Sequence, residues 1–131
     1  MFLIDSSAWI EYLRPGGSAK VKRRVREVLE KDEAATCGIV VVEILRGAKD
    51  DRMFATLKET LLSLPIIPMN DEVIERAAHW GYTLDRKGKT VPTTDLLIAA
   101  GASGKAVVLH VDSDFEIIGS LGLKQEKLAL S

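Results

Sequence analysis

The hydrophobic pattern opens on a short run, Phe2-Leu3-Ile4, that stops on Asp5 and is followed at once by Ser6 and Ser7. This reads as a strand running into a helix that begins near Ser7 with Ser6 as its cap and carries Ala8, Trp9, Ile10, Tyr12 and Leu13, while Asp5 either caps that helix or points into the crevice beyond the strand end. Pro15-Gly16-Gly17-Ser18 breaks that helix. From Ala19 to Lys31 the apolar residues Val21, Val25, Val28 and Leu29 recur at helical spacing, and Lys20, Lys22, Arg23, Arg24 and Arg26 fall on the other face. That basic face is read first as a solvated surface, with phosphate contact or an acidic partner as the alternative.

Ala34 to Thr36 reads as a second strand. The run Gly38 to Gly47 is ambiguous: its β-branched residues favour a strand, whereas as a helix it would be apolar nearly all round and end at Gly47. Either way Glu43 is a carboxylate inside an apolar stretch, and it needs solvent, a partner or a metal. Asp50 to Leu62 predicts a helix with Met53, Phe54, Leu57 and Leu61 on one side. Leu64 to Pro68 predicts a third strand, confined to an edge by its two prolines. Asn70 then caps a helix to about Arg86, with Val73, Ile74, Ala77, Trp80 and Leu84 inward. His79 has no second His or Cys near it and is read as structural.

After the polar loop Asp85 to Lys89, Thr93 or Thr94 caps a helix from about Asp95 to Ser103 that is apolar on nearly all sides and therefore buried. Asp95 lies in its first turn, where the helix dipole favours an anion. Ala106 to Val111 predicts the fourth and longest strand, covered on both faces, and it ends on Asp112-Ser113-Asp114. A turn of helix follows, and Leu121 to Leu130 offers a fifth, edge strand. Strands alternating with helices predict an α/β fold, a three-layer sandwich about a parallel sheet of order 3-2-1-4-5, as one domain over residues 1–131.

Composition changes this picture little. Apolar residues make up 47% and charged residues 28%, as in ordinary globular proteins. A net charge of −1 gives no global attraction for a polyanion, so nucleic-acid binding would rest on local basic patches or bound cations. The single cysteine, Cys37, reads as a small core residue and fits a reducing compartment. No apolar run reaches membrane-spanning length and no secretion signal is visible, so a cytoplasmic protein without membrane contact is expected.

The carboxylates carry the chemistry. In the predicted strand order the first and fourth strands are neighbours, so Asp5, Asp112 and Asp114 share the crevice beyond the strand ends. Helices bearing Glu43 and Asp95 close it from the sides. Acids this close cannot all ionise without cations. An oxygen-only donor set points to Mg²⁺ or Mn²⁺ rather than zinc, and such ions serve displacement at phosphorus. Spacing alone thus reaches a metal-dependent phosphoryl-transfer or phosphodiester site.

Four segments then resemble one family. Phe2-Leu3-Ile4-Asp5-Ser6-Ser7 resembles the opening of PIN-domain ribonucleases. Val42-Glu43-Ile44-Leu45-Arg46-Gly47 is similar to their second acidic motif, Thr94-Asp95-Leu96-Leu97-Ile98-Ala99-Ala100 to the third and Asp112-Ser113-Asp114-Phe115 to the fourth. Order, spacing and length resemble the VapC toxins of type II toxin–antitoxin systems over essentially the whole chain.

The resemblance implies that Ile39–Arg46 is a helix. It implies an endoribonuclease using Mg²⁺ or Mn²⁺, a homodimer, and inhibition by a VapB-type antitoxin whose C-terminal segment lies in the active-site groove. By position it makes Asp5, Glu43, Asp95 and Asp114 the catalytic acids. Asp5, Asp95 and Asp114 would ligate metal, Asp112 would ligate or support, and Glu43 would orient or deprotonate the attacking water. Ser7 keeps the hydroxyl that relatives often carry as Thr after the first acid. Arg14 and Arg46 would contact RNA phosphates or pair with acids.

The main rival is a non-catalytic, receiver-like Mg²⁺-binding signalling domain. It would want adjacent acids after the first strand and an acceptor Asp after the third, where Ser6 and Pro68-Met69-Asn70-Asp71 stand. An aspartyl-nucleophile phosphatase would want a second Asp at position 7, which is serine. An inactive PIN-like scaffold is opposed by the intact acidic set.

Overall fold

The structure is a computed structural model describing residues 1–130. In chain order the elements are β1 (Phe2–Ile4), α1 (Ser6–Leu13), α2 (Ala19–Glu30), β2 (Ala34–Cys37), α3 (Gly38–Arg46) and α4 (Asp51–Leu62). They continue with β3 (Ile66–Ile67), α5 (Asp71–Arg86), α6 (Thr93–Ala102), β4 (Val107–His110), α7 (Asp114–Gly119) and β5 (Gln125–Lys127). The five strands form one sheet of order β3-β2-β1-β4-β5, and every pairing is parallel. This is the predicted order.

Successive residues of a strand face opposite sides of the sheet. Leu3 and Ile4 of β1, and Val108, Leu109 and His110 of β4, are all fully buried. Both faces of the sheet are therefore covered, which makes the three layers. Because all strands are parallel, their carboxyl ends meet along one edge. The starts of α1 and α3 lie there, directly after β1 and β2. The start of α6 lies there too, since α6 must run back along the sheet before β4 begins.

The ambiguous run is the helix α3. It buries Val40, Val41 and Ile44 and leaves Val42 64% exposed. Packing of this face against α4 and α1 overrides the β propensity of its residues. Gly47 ends it, its N–H bonding back to the last carbonyls.

Four local expectations are corrected. Asp5, not Ser6, caps α1, accepting the Ser7 N–H through its side chain. Thr93 and Thr94 are the first residues of α6, whose cap position is Pro92 with no side-chain hydrogen bond. Phe54 and Ile74 face solvent, at 43% and 52% exposure, so α4 and α5 bury narrower stripes than predicted: Leu57 and Leu61, and Val73, Ala77 and Leu84. β4 is shorter than predicted and no longer than β2, each having four residues. His79 is exposed.

The loop between α1 and α2 doubles back tightly. The Glu11 carboxylate, nearly buried, accepts the Ser18 N–H at 3.0 Å and the Arg14 guanidinium at 2.6 Å. A Cβ on Gly17 would stand 1.9 Å from the Glu11 carbonyl oxygen, so only glycine fits there. On the far edge, Arg24 of α2 grips Glu126 of β5 with two hydrogen bonds of 2.9 and 3.0 Å and lies over the Phe2 ring. Its charge is therefore spent inside the fold rather than offered to a partner.

Candidate active site

Asp5 is 4% exposed at the end of β1. One of its oxygens, Oδ2, accepts both the Ser7 N–H at 3.0 Å and the Ser7 hydroxyl at 2.6 Å. The same hydroxyl accepts the Val111 N–H at 3.1 Å. Ser7 thus ties the end of β1 to the end of β4 and fixes the Asp5 carboxylate over the crevice. Burial pushes the Asp5 carboxyl above the ordinary range, the Ser7 hydrogen bonds oppose that, and the charge of Glu43 adds to it.

Glu43 comes in from α3, half-buried, and its Oε1 accepts the Ser6 hydroxyl at 2.6 Å. Ser6 was read from the sequence as a cap; it is instead the residue that orients Glu43. Asp95 reaches in from the first turn of α6 at 9% exposure. Burial raises its carboxyl first, and the charges of Asp5, Asp112, Asp114 and Glu43 raise it further, to about 7. The Asp114 carboxyl is also raised, by burial and then by Asp112.

Asp95, Asp112 and Asp114 each bring a carboxylate oxygen to within 4.8 Å of the others. Asp5 and Glu43 stand beside this trio, close enough to shift Asp95 but outside its tightest grouping. The donors are all carboxylate, and burial together with the neighbouring like charges has raised the most enclosed of them. A hard divalent cation satisfies both conditions. Asp95, Asp112 and Asp114 could hold such a cation between them.

The five predicted acids and Ser7 therefore converge; the two predicted arginines do not join them. Arg14 is paired with Glu11 at 2.6 Å, and its side chain remains 58% exposed. Arg46 is exposed at the end of α3 and has no acidic partner among the described residues. Sequence reasoning passed over His110 and Gln125, which brace the Asp112–Asp114 loop. The available signal was a histidine on a buried strand two positions before an acid.

A parallel sheet in this order, with acids from four segments gathered at its carboxyl edge, defines an α/β protein with an acidic site beyond its strand ends. The PIN-domain family model matches residues 2–121. Ribonuclease VapC11 of Mycobacterium tuberculosis is 40% identical over 126 residues, covering 92% of this chain and 93% of that protein. The chain belongs to the PIN-domain family, with the VapC ribonucleases as its relatives. Among solved structures, FitAB bound to an IR36 DNA fragment superposes with a TM-score of 0.80 at 20% identity, over 97% of this chain and 94% of that one. DNA-bound VapBC from Salmonella typhimurium gives 0.75 at 23% identity, over 96% of both chains. These likenesses establish a shared fold. Among the described residues no helix is long and apolar enough to cross a membrane.

Proposed function

We propose that the protein is the toxin of a type II toxin–antitoxin pair, an endoribonuclease that hydrolyses RNA phosphodiester bonds and is inhibited by a VapB-type antitoxin. One observation carries the reading: Asp5, Glu43, Asp95, Asp112 and Asp114, from four separate segments of a VapC relative, gather at one sheet edge. A receiver-like domain would leave Glu43 and Asp95 without a task.

Asp95, Asp112 and Asp114 would hold Mg²⁺ or Mn²⁺, with Asp5 as a further ligand or bridge. A bound divalent ion there would neutralise the acids, acidify water and stabilise the charge that develops on phosphate oxygens. Glu43 has one oxygen held by Ser6, so its other oxygen is left to orient a water and take its proton. Ser7 keeps Asp5 from rotating. Arg46, uncommitted on the surface, is suited to a backbone phosphate; Arg14 reaches RNA only by leaving Glu11.

Beside Glu43 lies an apolar groove of about 430 Å³, lined by Ile10, Leu13, Ile44, Met53 and Leu57, with Arg14 and Lys49 at its rim. An antitoxin segment with apolar residues and a terminal acid suits it. A homodimer and a cytoplasmic setting complete the proposal.

The test is cleavage of structured RNA by the purified protein with Mn²⁺, with Mg²⁺ and with EDTA. Cutting with either ion that stops on chelation is expected. Cutting that survives complete chelation overturns the metal requirement, and no cutting under any condition overturns the nuclease.

A further inference from the structure

We propose that His110, held between Gln125 and the Asp112 N–H, is a positioning residue that sets Asp112 and Asp114 for cation binding. The inference rests on the reading of the acids as a cation site and adds a residue outside the acidic set.

His110 ends β4 and is fully buried, with both ring nitrogens in use. Nδ1 accepts the backbone N–H of Asp112 at 3.1 Å. A ring nitrogen that accepts carries no proton, so the proton of the neutral ring sits on Nε2. Nε2 faces the Gln125 carbonyl oxygen at 2.6 Å and donates to it. The Asp112 N–H can only donate, so it makes Nδ1 the acceptor, and the Gln125 carbonyl oxygen satisfies the opposite nitrogen. The relay continues, because Oδ1 of Asp112 accepts the Asp114 N–H at 2.9 Å. A chain of three hydrogen bonds runs from an edge strand into the acidic trio.

The surroundings leave this relay little freedom. The Phe115 ring packs on the imidazole, centroids 4.9 Å apart. The His110 carbonyl accepts the Leu128 N–H at 2.7 Å, which fixes β5 beside it. Gln125 lies against Gly119 at the end of α7, and Lys127 reaches Glu116 of α7 at 3.0 Å. Three of the loop's backbone N–H groups are likewise committed to side chains: Val111 to Ser7, Asp112 to His110, Asp114 to Asp112. Removing the imidazole leaves the Asp112 N–H without its acceptor, and the loop carrying two of the three donors is free to turn. Partners that orient metal-binding residues in this way typically change affinity by about 10–100-fold when lost.

The test compares His110→Phe, His110→Asn, Gln125→Glu and Gln125→Leu. Phe fills the space without an acceptor. Asn places its amide oxygen near the position of Nδ1. Glu at 125 keeps an acceptor for Nε2–H, and Leu removes it. Mn²⁺ affinity, read by electron paramagnetic resonance of free Mn²⁺, should fall about 10–100-fold in His110→Phe. It should fall less in Gln125→Leu and stay near wild type in His110→Asn and Gln125→Glu. RNA cleavage should lose kcat with little change in KM. The nitrogen shifts of the wild-type ring should report the proton on Nε2.

A folded His110→Phe that binds Mn²⁺ as wild type does, or a ring protonated on Nδ1, overturns the proposal. So does a loss of affinity in all four variants alike, which would mark a packing role only. If wild type itself takes up no Mn²⁺, the cation reading fails instead. Hydrogen exchange at the Asp114 amide still decides the positioning: unchanged protection in His110→Phe overturns it, and lost protection supports it.

Discussion

Replacing Asp95 by Asn separates a functional acid cluster from a helix-capping acid by the sign of its effect. Asp95 is nearly buried, and its carboxyl is raised from 3.8 to about 7 by burial and by four neighbouring acids. In the unfolded chain it titrates near its ordinary value. Between about pH 4 and 7 the folded protein therefore binds more protons than the unfolded one, and stability falls as pH rises through that window. Above pH 7 the penalty is complete. A shift of about three units at about 1.36 kcal/mol each corresponds to about 4 kcal/mol. The amide stays buried among carboxylates with its own polar atoms imperfectly paired, which costs about 1–3 kcal/mol. A net gain of about 2 kcal/mol at pH 8 is expected for metal-free Asp95→Asn, or about 8 °C in Tm for a chain of this size.

At pH 5 most of this gain should be gone, because wild-type Asp95 is then protonated. With saturating Mn²⁺ the order should reverse, since the cation stabilises the wild type by mass action and binds the variant weakly. The assay is thermal melting of both proteins at pH 5 and pH 8, each with EDTA and with Mn²⁺. An acid serving only the α6 dipole would instead cost stability on removal, by similar amounts with and without metal. A variant that melts lower by one constant amount in all four conditions refutes the clustered site.

Three further outcomes are expected. Asp5→Asn keeps an acceptor for Ser7, so circular dichroism should show an intact fold while RNA cleavage drops by about 100-fold or more, as removal of a single electrostatic stabiliser commonly does. Gly17→Ala forces a methyl into the Glu11 carbonyl, and urea unfolding should report a loss of about 2 kcal/mol or more. Lys20, Arg23 and Arg26 are exposed and have no acidic partner among the described residues; if they meet RNA, changing all three to Glu should reduce the slope of log affinity against log salt by about 2, and an unchanged slope leaves them a solvated helix face.

The alternation was legible because each of the first four strands is a short run of mostly apolar residues with a helix after it, and two such runs end on acids. The helix α3 was not legible from its own residues. Val40, Val41 and Val42 carry strand propensity, and only the packing against α1 and α4 makes the helical form win. The widths of the buried faces were overestimated for a related reason. Phe54 and Ile74 sit at positions that periodicity assigns inward, yet the helices they belong to lie at the margin of the core, where only the central stripe finds a partner. Hydrophobicity gives the side of a helix that prefers to be covered, but not how much of it the rest of the chain can cover.

The acids were legible one at a time; what joins them was not. In the sequence alone, Asp5 has two readings, a helix cap or a member of a site. In the structure the two coincide, because the first turn of α1 begins at the crevice and the cap bond to Ser7 is what aims the carboxylate. Three of the remaining acids are also tied down by side chains: Ser6 donates to the Glu43 carboxylate, Asp112 accepts the Asp114 N–H, and His110 accepts the Asp112 N–H. Each is a single hydrogen bond of ordinary strength, about 1 kcal/mol net. Together they hold four segments of like charge against their mutual repulsion at the end of a buried sheet. The fold can bear that repulsion because Leu3, Ile4, Val108 and Leu109 beneath the site are fully buried. The cost appears at the sheet's edge, where burial and then the neighbouring acids raise the Asp95 carboxyl to about 7.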